Sequence, residues 1–200
     1  MSMQDEWNKR FGKEDYFYGI EPNAFVKEQL LKLKPGKILF LAEGEGRNSV
    51  YAAKLGWDVD AVDFSISGKE KAERLAFENN VGINYQISDL NEFGFKENYY
   101  DVIVNNFFHT FEDSRISIHN KVKSSLKSGG KYILEAFAKD QIKRNTGGPK
   151  NLDLLYSLEE INNDFQDFDF IHFSNEETKL HEGSGHEGFA IVIRFIGEKV

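Results

Sequence analysis

A doubly wound α/β domain with a mostly parallel sheet is the fold the sequence predicts, on three observations. Short β-branched and aromatic runs alternate with helix-like stretches. Two glycines follow the first run at once, and the last quarter of the chain breaks the rhythm with two runs that have no helix between them.

The first predicted strand is Lys37 to Ala42, introduced by the Pro35-Gly36 turn. Arg47 to Leu55 reads as a helix closed by Gly56, and Asp58 to Asp63 as the second strand, which completes a βαβ unit. Ser67 to Asn79 reads as a charged surface helix, Asn84 to Ser88 as a third strand and Asp101 to Asn106 as a buried fourth. Asp113 to Leu126 is the next predicted helix, ended by Lys127-Ser128-Gly129-Gly130, and Lys131 to Phe137 the fifth strand. After a helix over Ser157 to Phe165, the runs Phe168 to Ser174 and Gly188 to Ile196 predict an antiparallel hairpin at the sheet's edge. Before the first strand, Trp7 to Phe25 reads as aromatic and irregular, a lid segment. The expectation is one domain over residues 1–200, with 1–30 as the lid and 31–200 as the core.

With 33 acidic against 25 basic residues the net charge is −8, which opposes a phosphate backbone and favours a small-molecule partner over nucleic acid. The chain has no cysteine, hence no disulfide frame, thiolate metal site or cysteine nucleophile. Its first eleven residues carry Asp5, Glu6, Lys9 and Arg10 and do not read as a secretory signal, and no apolar run is long enough to span a bilayer. A cytoplasmic protein, monomeric or weakly dimeric, is expected.

Between the first strand and its helix stands Ala42-Glu43-Gly44-Glu45-Gly46-Arg47-Asn48-Ser49. Two glycines there suit a tight turn where backbone approaches a ligand before a helix begins. The dinucleotide fingerprint G-x-G-x-x-G is half met, since Ser49 stands where the third glycine belongs. Asp63 follows Gly44 by 19 positions, close to the spacing at which an acid meets ribose hydroxyls; as a plain strand-end acid or helix cap it needs no ligand. Asp89-Leu90, after the third strand, falls on the same carboxyl edge, in reach of a base.

Gly44-Glu45-Gly46-Arg47-Asn48-Ser49, then Gly56-Trp57-Asp58-Val59 and Val62-Asp63, resembles the tellurite-resistance and thiopurine methyltransferase-like branch of the class I S-adenosylmethionine-dependent enzymes. Tyr16-Phe17-Tyr18-Gly19-Ile20-Glu21-Pro22-Asn23 and Gly147-Gly148-Pro149 are similar to segments of bacterial members. The resemblance covers nearly the whole chain. It implies a Rossmann-like, seven-stranded methyltransferase fold with S-adenosylmethionine as cofactor, its methionine end at the glycine turn, its ribose on Asp63 and its adenine near Phe64, Asp89 and Leu90. Where the usual class I pattern has an acid ending the first strand and a glycine opening the turn, this chain has Phe40 and Ala42, and Glu43 is the candidate to replace the acid.

Methyl transfer is an in-line displacement, so positioning matters most and a base is needed only for a protonated nucleophile. Tyr18, Trp7 and Phe108 are candidates to face a sulfonium, or else core aromatics. Asn105-Asn106-Phe107-Phe108-His109 puts polar groups and an imidazole on the carboxyl edge, with Asn105 toward the cofactor. A second cluster is His181-Glu182-Gly183-Ser184-Gly185-His186-Glu187. In the resembling family a histidine at this turn lies near the acceptor, which carries over to His181; the arginine that follows it there is Glu182 here. A metal cluster of His181, Glu182, His186 and Glu187 is the weaker reading, and no G-x-S-x-G elbow is present.

The reading is methyl transfer to a small acceptor, thiol or metalloid oxyanion among the candidates. Tyr18, Glu43, Gly44, Gly46, Asn48, Asp63, Phe64, Asp89, Leu90 and Asn105 would hold the cofactor, with His109 and His181 at the acceptor and no metal. A nicotinamide-dependent oxidoreductase is opposed by the missing glycine and the terminal hairpin. A non-catalytic nucleoside-binding module is kept open by Phe40 and Ala42.

Overall fold

The computed structural model of the chain describes residues 2–200. Strands β1 (Lys37–Leu41), β2 (Asp58–Asp63), β3 (Asn84–Ile87), β4 (Tyr100–Asn106), β5 (Leu126–Phe137), β6 (Phe168–Glu182) and β7 (His186–Lys199) form one sheet of order β3-β2-β1-β4-β5-β7-β6. Six α-helices accompany it: α1 (Met3–Phe11), α2 (Ala24–Leu30), α3 (Arg47–Lys54), α4 (Ile66–Glu78), α5 (Glu112–Ser125) and α6 (Leu158–Phe165). The contacts of the chain divide into two compact units, residues 2–93 with 182–185, and residues 94–181 with 186–200.

In the first unit β3, β2 and β1 are parallel, with Leu41 opposite Val62 and Asp63 opposite Ile87. The sequence of β1, Lys-Ile-Leu-Phe-Leu, is apolar from its second residue on because both sheet faces are covered, and Ile38 to Leu41 are all buried. Burying each contributes roughly 1.5–3 kcal/mol. Phe40 therefore belongs to this core, opposite Ala61. The one buried acid inside β2, Asp60, is neutralised by Lys37 at 2.9 Å. Ser65 caps α4 by accepting the Gly68 N–H at 3.1 Å.

The stretch Trp7 to Phe25 is less irregular than expected. Ser2 and Asp5 form a reciprocal capping box that starts α1, which carries Trp7 and buries Phe11. Asn23 caps α2 through Val26 N–H. Both caps are local signals, but the aromatic content of the segment masks the short helices they start.

In the second unit β4 and β5 are parallel while β5 and β7 are antiparallel. The expected break at Lys127-Ser128-Gly129-Gly130 lies inside β5: Tyr100 pairs with Leu126 and Val102 with Lys131, so the intervening residues bulge out of the ladder. Gly129 supplies the left-handed backbone (φ 74°), and a side chain on Gly130 would fall 2.8 Å from Lys127 O.

The terminal hairpin is longer than its apolar runs. β6 and β7 are joined by only three residues, 183–185. The polar half of β6 was legible only as loop, yet it is held in register by Arg194, whose Nε donates to the buried Glu135 at 2.7 Å and whose other nitrogens reach Glu176 and Thr178. Behind β5, Asp164 of α6 accepts from Arg115 (2.9 Å) and bonds His119 (2.7 Å) of α5, while Tyr132 stacks on Phe165. No helix among the described residues is long and apolar enough to cross a membrane.

Candidate functional site

The turn after β1 is built from left-handed residues: Ala42 (φ 48°), Gly44 (φ 63°) and Gly46 (φ 89°). Only Ala42 bears a side chain, and that conformation costs an L-residue roughly 1–2 kcal/mol, so its surroundings hold it there. Two bonds do so from neighbouring strands. Gly44 N–H donates to Asp63 Oδ2 at 3.1 Å, and the Tyr85 hydroxyl of β3 donates to Gly44 O at 2.7 Å.

Asp63 ends β2. Its Oδ1 accepts the Ser65 N–H at 2.8 Å. Burial pushes its carboxyl up to about 6, against the pull of backbone N–H groups of Ser65, Gly44 and Phe64. A carboxylate has about four acceptor positions, so these bonds leave it capacity for ligand hydroxyls.

Glu43 sits at the N-terminus of α3, with Oε1 accepting from Asn48 N–H (3.0 Å) and Ser49 N–H (2.7 Å). Burial raises it to about 7, although these bonds and the nearby Arg47 favour its charge. The helix end that a dinucleotide's pyrophosphate would occupy is thus filled by a carboxylate of the chain itself. A phosphate there would meet Glu43 and Asp63 together; a hydroxyl or a cation would not be repelled.

The glycines have a packing role as well. A Cβ on Gly46 would stand 2.6 Å from Ala72 Cβ, so this glycine lets α3 start against α4. A Cβ on Gly44 would be 3.1 Å from the Phe11 ring. Asn48 is buried and accepts the Asn23 N–H at 2.9 Å, which ties the motif to the N-terminal segment.

Residues 15–23 lie against this turn. Glu45 accepts the Phe17 N–H at 2.8 Å and pairs with the buried Lys71 at 2.8 Å, which also donates to Asp15 O. Tyr18 stacks edge-on with Phe17 (4.8 Å) and lies 6.5 Å from Trp7, and the Arg10 guanidinium covers Trp7 at 4.3 Å. Burial raises the Tyr18 hydroxyl. The backbone carbonyl of Phe64 accepts from Gln4 of α1 at 2.7 Å. After β3, Leu90 is buried, while Asp89 is exposed and accepts Asn91 N–H at 2.7 Å in a tight local turn.

In the second unit Asn105 is buried and accepts the Phe108 N–H at 3.1 Å, bending the chain where Phe107 takes a left-handed φ of 61°. His109 uses both ring nitrogens. Nδ1–H donates to Leu154 O at 2.8 Å, and Nε2 accepts Phe137 N–H at 3.3 Å. Those partners assign the tautomer, and burial drives the imidazole down to about 4. As it stands, His109 is a neutral brace between β5 and the 152–154 turn. His181 is exposed and bonded to Glu187 at 2.7 Å. Buried His186 packs against Phe107 and Phe137.

Sequence reading had no role for four residues of the turn's surroundings. Tyr85, Glu45 and Lys71 are ordinary strand and helix positions with no motif. Glu182 was visible only as a missing arginine; it is buried and paired with Arg47 at 3.0 Å.

Comparison with known proteins agrees with this architecture. Residues 11–198 match the family model described as tellurite resistance protein TehB. A Haemophilus influenzae protein named "Probable S-adenosyl-L-methionine-dependent methyltransferase TehB" is 24% identical over 189 residues, covering 92% of this chain and 64% of that protein. The chain thus spans about two thirds of the length of the curated relatives it matches. The crystal structure of TehB from Haemophilus influenzae superposes with a TM-score of 0.75 at 21% identity, over 98% of this chain and 67% of that one. An S-adenosylmethionine-dependent methyltransferase from Clostridium acetobutylicum superposes with a TM-score of 0.67 at 13% identity, over 99% and 92%. A left-handed glycine turn pinned to a strand-end aspartate, within a match that runs almost from end to end, places the chain in the TehB tellurite resistance protein family.

Proposed function

We propose that this chain is an S-adenosylmethionine-dependent methyltransferase acting on a small molecule. The observation that carries the reading is the chemistry of the turn: Asp63 has acceptor capacity for a ribose, and Glu43 fills the helix end where a pyrophosphate would sit. The residues present therefore fit a nucleoside with a cationic tail better than a dinucleotide. When bound, S-adenosylmethionine supplies a methyl group on a sulfonium sulfur, already activated for displacement.

The work left to the chain is placement. Asp63 would accept both ribose hydroxyls, Phe64 and Leu90 would flank the base with Asp89 beside them, and the backbone of 42–44 would cradle the amino-acid end. Glu43 would face the ammonium with its second oxygen. Tyr18 would lie over the cofactor, and an aromatic face there stabilises a cation by about 0.5–2 kcal/mol. Gly46, Asn48 and Asn105 act by holding the turns that shape the site.

At the acceptor, His181 is the group we assign to take a proton, because its ring is exposed and its Nδ1 is backed by Glu187. His109, with both nitrogens committed, holds the backbone in place. A thiol or metalloid oxyanion is the acceptor class we propose, the second by analogy with the family's description. Thermal denaturation with added S-adenosylmethionine, S-adenosylhomocysteine and NADH tests the reading. The first two are expected to raise the melting temperature; stabilisation by NADH alone would sink it.

A further inference from the structure

The turn of the terminal hairpin belongs to the first compact unit, although 135 residues separate Glu182 from Arg47. Three observations account for it. Glu182 is buried, with Oε2 on Arg47 Nη2 at 3.0 Å and Oε1 accepting from Asn23 Nδ2 at 2.8 Å. Phe17 O accepts the Ser184 and Gly185 N–H groups at 3.0 and 3.2 Å. Finally, a side chain could not fit between the two segments: a Cβ on Gly183 would lie 2.4 Å from Phe17 O, and one on Gly185 2.3 Å from the Tyr18 ring.

The same strap, residues 17–23, is gripped from its other side by the glycine turn. Glu45 takes Phe17 N–H and Asn48 takes Asn23 N–H, while Arg47 Nη1 lies 3.5 Å from Tyr18 O. Arg47 thus touches both the strap and the hairpin, and Glu182 is what holds its guanidinium there. A buried carboxylate that meets one cation and one amide is well satisfied; removal of either partner leaves the other charge stranded.

We propose that Glu182 is a positioning residue for the ligand at the glycine turn: through Arg47 and Asn23 it clasps the hairpin turn to the strap and keeps the strap seated on residues 44–48. The inference rests on the cofactor reading above for the identity of the ligand, but not for the clasp. Glu182 touches no reacting atom. It acts by setting where Tyr18 and the turn backbone stand before the ligand arrives, so its loss raises the concentration of cofactor needed and leaves the transfer step itself little changed.

The test uses the whole chain with E182Q, which keeps the shape and the bond from Asn23 but removes the charge that holds Arg47, and with E182D, which keeps the charge. Backbone hydrogen exchange of residues 17–23 is measured without ligand, and S-adenosylhomocysteine affinity by calorimetry. In E182Q the strap amides should exchange at least tenfold faster and affinity fall at least tenfold, with KM for S-adenosylmethionine rising while kcat stays within threefold. E182D should recover part of both. In the double variant R47Q/E182Q the losses should be smaller than the sum of the single ones. Strap exchange or affinity within twofold of the wild type in a folded E182Q overturns the proposal, as does additive behaviour of the pair. If E182Q does not fold, E182D decides by the same two readings against the wild type, with intermediate losses supporting the clasp and none overturning it. A wild-type chain that binds no thioether defeats the cofactor reading instead, and the exchange measurement then decides the clasp alone.

Discussion

Asp63 Oδ2 accepts the backbone N–H of Gly44 at 3.1 Å, so the carboxylate that ends β2 also fixes the left-handed turn that ends β1. A ligand that draws on Asp63 is therefore read by the turn as well. Four expectations follow from this site and its supports.

Replacing Asp63 by Ala should weaken S-adenosylhomocysteine binding by about 1–3 kcal/mol, because ligand hydroxyls lose their charged partner. Binding should also depend on pH. With the carboxyl raised to about 6, the charged form is lost as pH falls through that value, and affinity should decline below it. Calorimetry between pH 5 and 8 checks both; flat affinity across that range would remove Asp63 from the site.

Glu43 offers a stability test with a defined sign. Its carboxyl is raised from 4.5 to about 7, so between those values the folded state binds more protons than the unfolded chain. Stability is therefore lost as pH rises through that window, and the full penalty is present above 7. Glu43→Gln, which keeps an acceptor for Ser49 N–H, should stabilise the protein by about 1–3 kcal/mol at pH 8 and by nothing below pH 4.5. Urea unfolding at the two pH values measures it.

The two histidines should separate cleanly. His109 is depressed to about 4 by burial, so the stability that comes from keeping it neutral is present above the unfolded value of 6.5 and is lost as pH falls from there through 4. His109→Gln should flatten that acid limb and cost about 1–3 kcal/mol at neutral pH, since the Leu154 and Phe137 backbone groups lose their partner. His181→Ala, at an exposed site, should change stability by less than about 0.5 kcal/mol while lowering turnover.

Gly46→Ala should destabilise the chain by at least about 2–4 kcal/mol, from the strained φ of 89° and from a Cβ 2.6 Å from Ala72. Pairing it with Ala72→Gly relieves only the contact. Chemical denaturation of the single and double variants should show partial recovery; full recovery would mean that the backbone angle carries no strain.

The parallel core was legible because its signals are local. Lys37–Leu41, Asp58–Asp63 and Arg47–Lys54 fall where apolar runs and cap residues put them, and the glycine turn sits between them as read. The polar half of β6 was missed because charged residues on an edge strand look like loop until Arg194 is seen to bridge Glu135 and Glu176. Likewise α1 and α2 are short helices in an aromatic stretch whose periodicity is too brief to register.

By itself the sequence determined the order of strands and helices, the place of the nucleoside turn and the acid that faces it, since backbone propensity and burial act over a few residues. Only the tertiary structure decided that Glu43 closes its own helix, that His109 spends both nitrogens on backbone, and that Glu182 belongs with Arg47. Those roles depend on which buried polar groups meet across long loops, and a buried charge or imidazole takes its function from the partner that satisfies it.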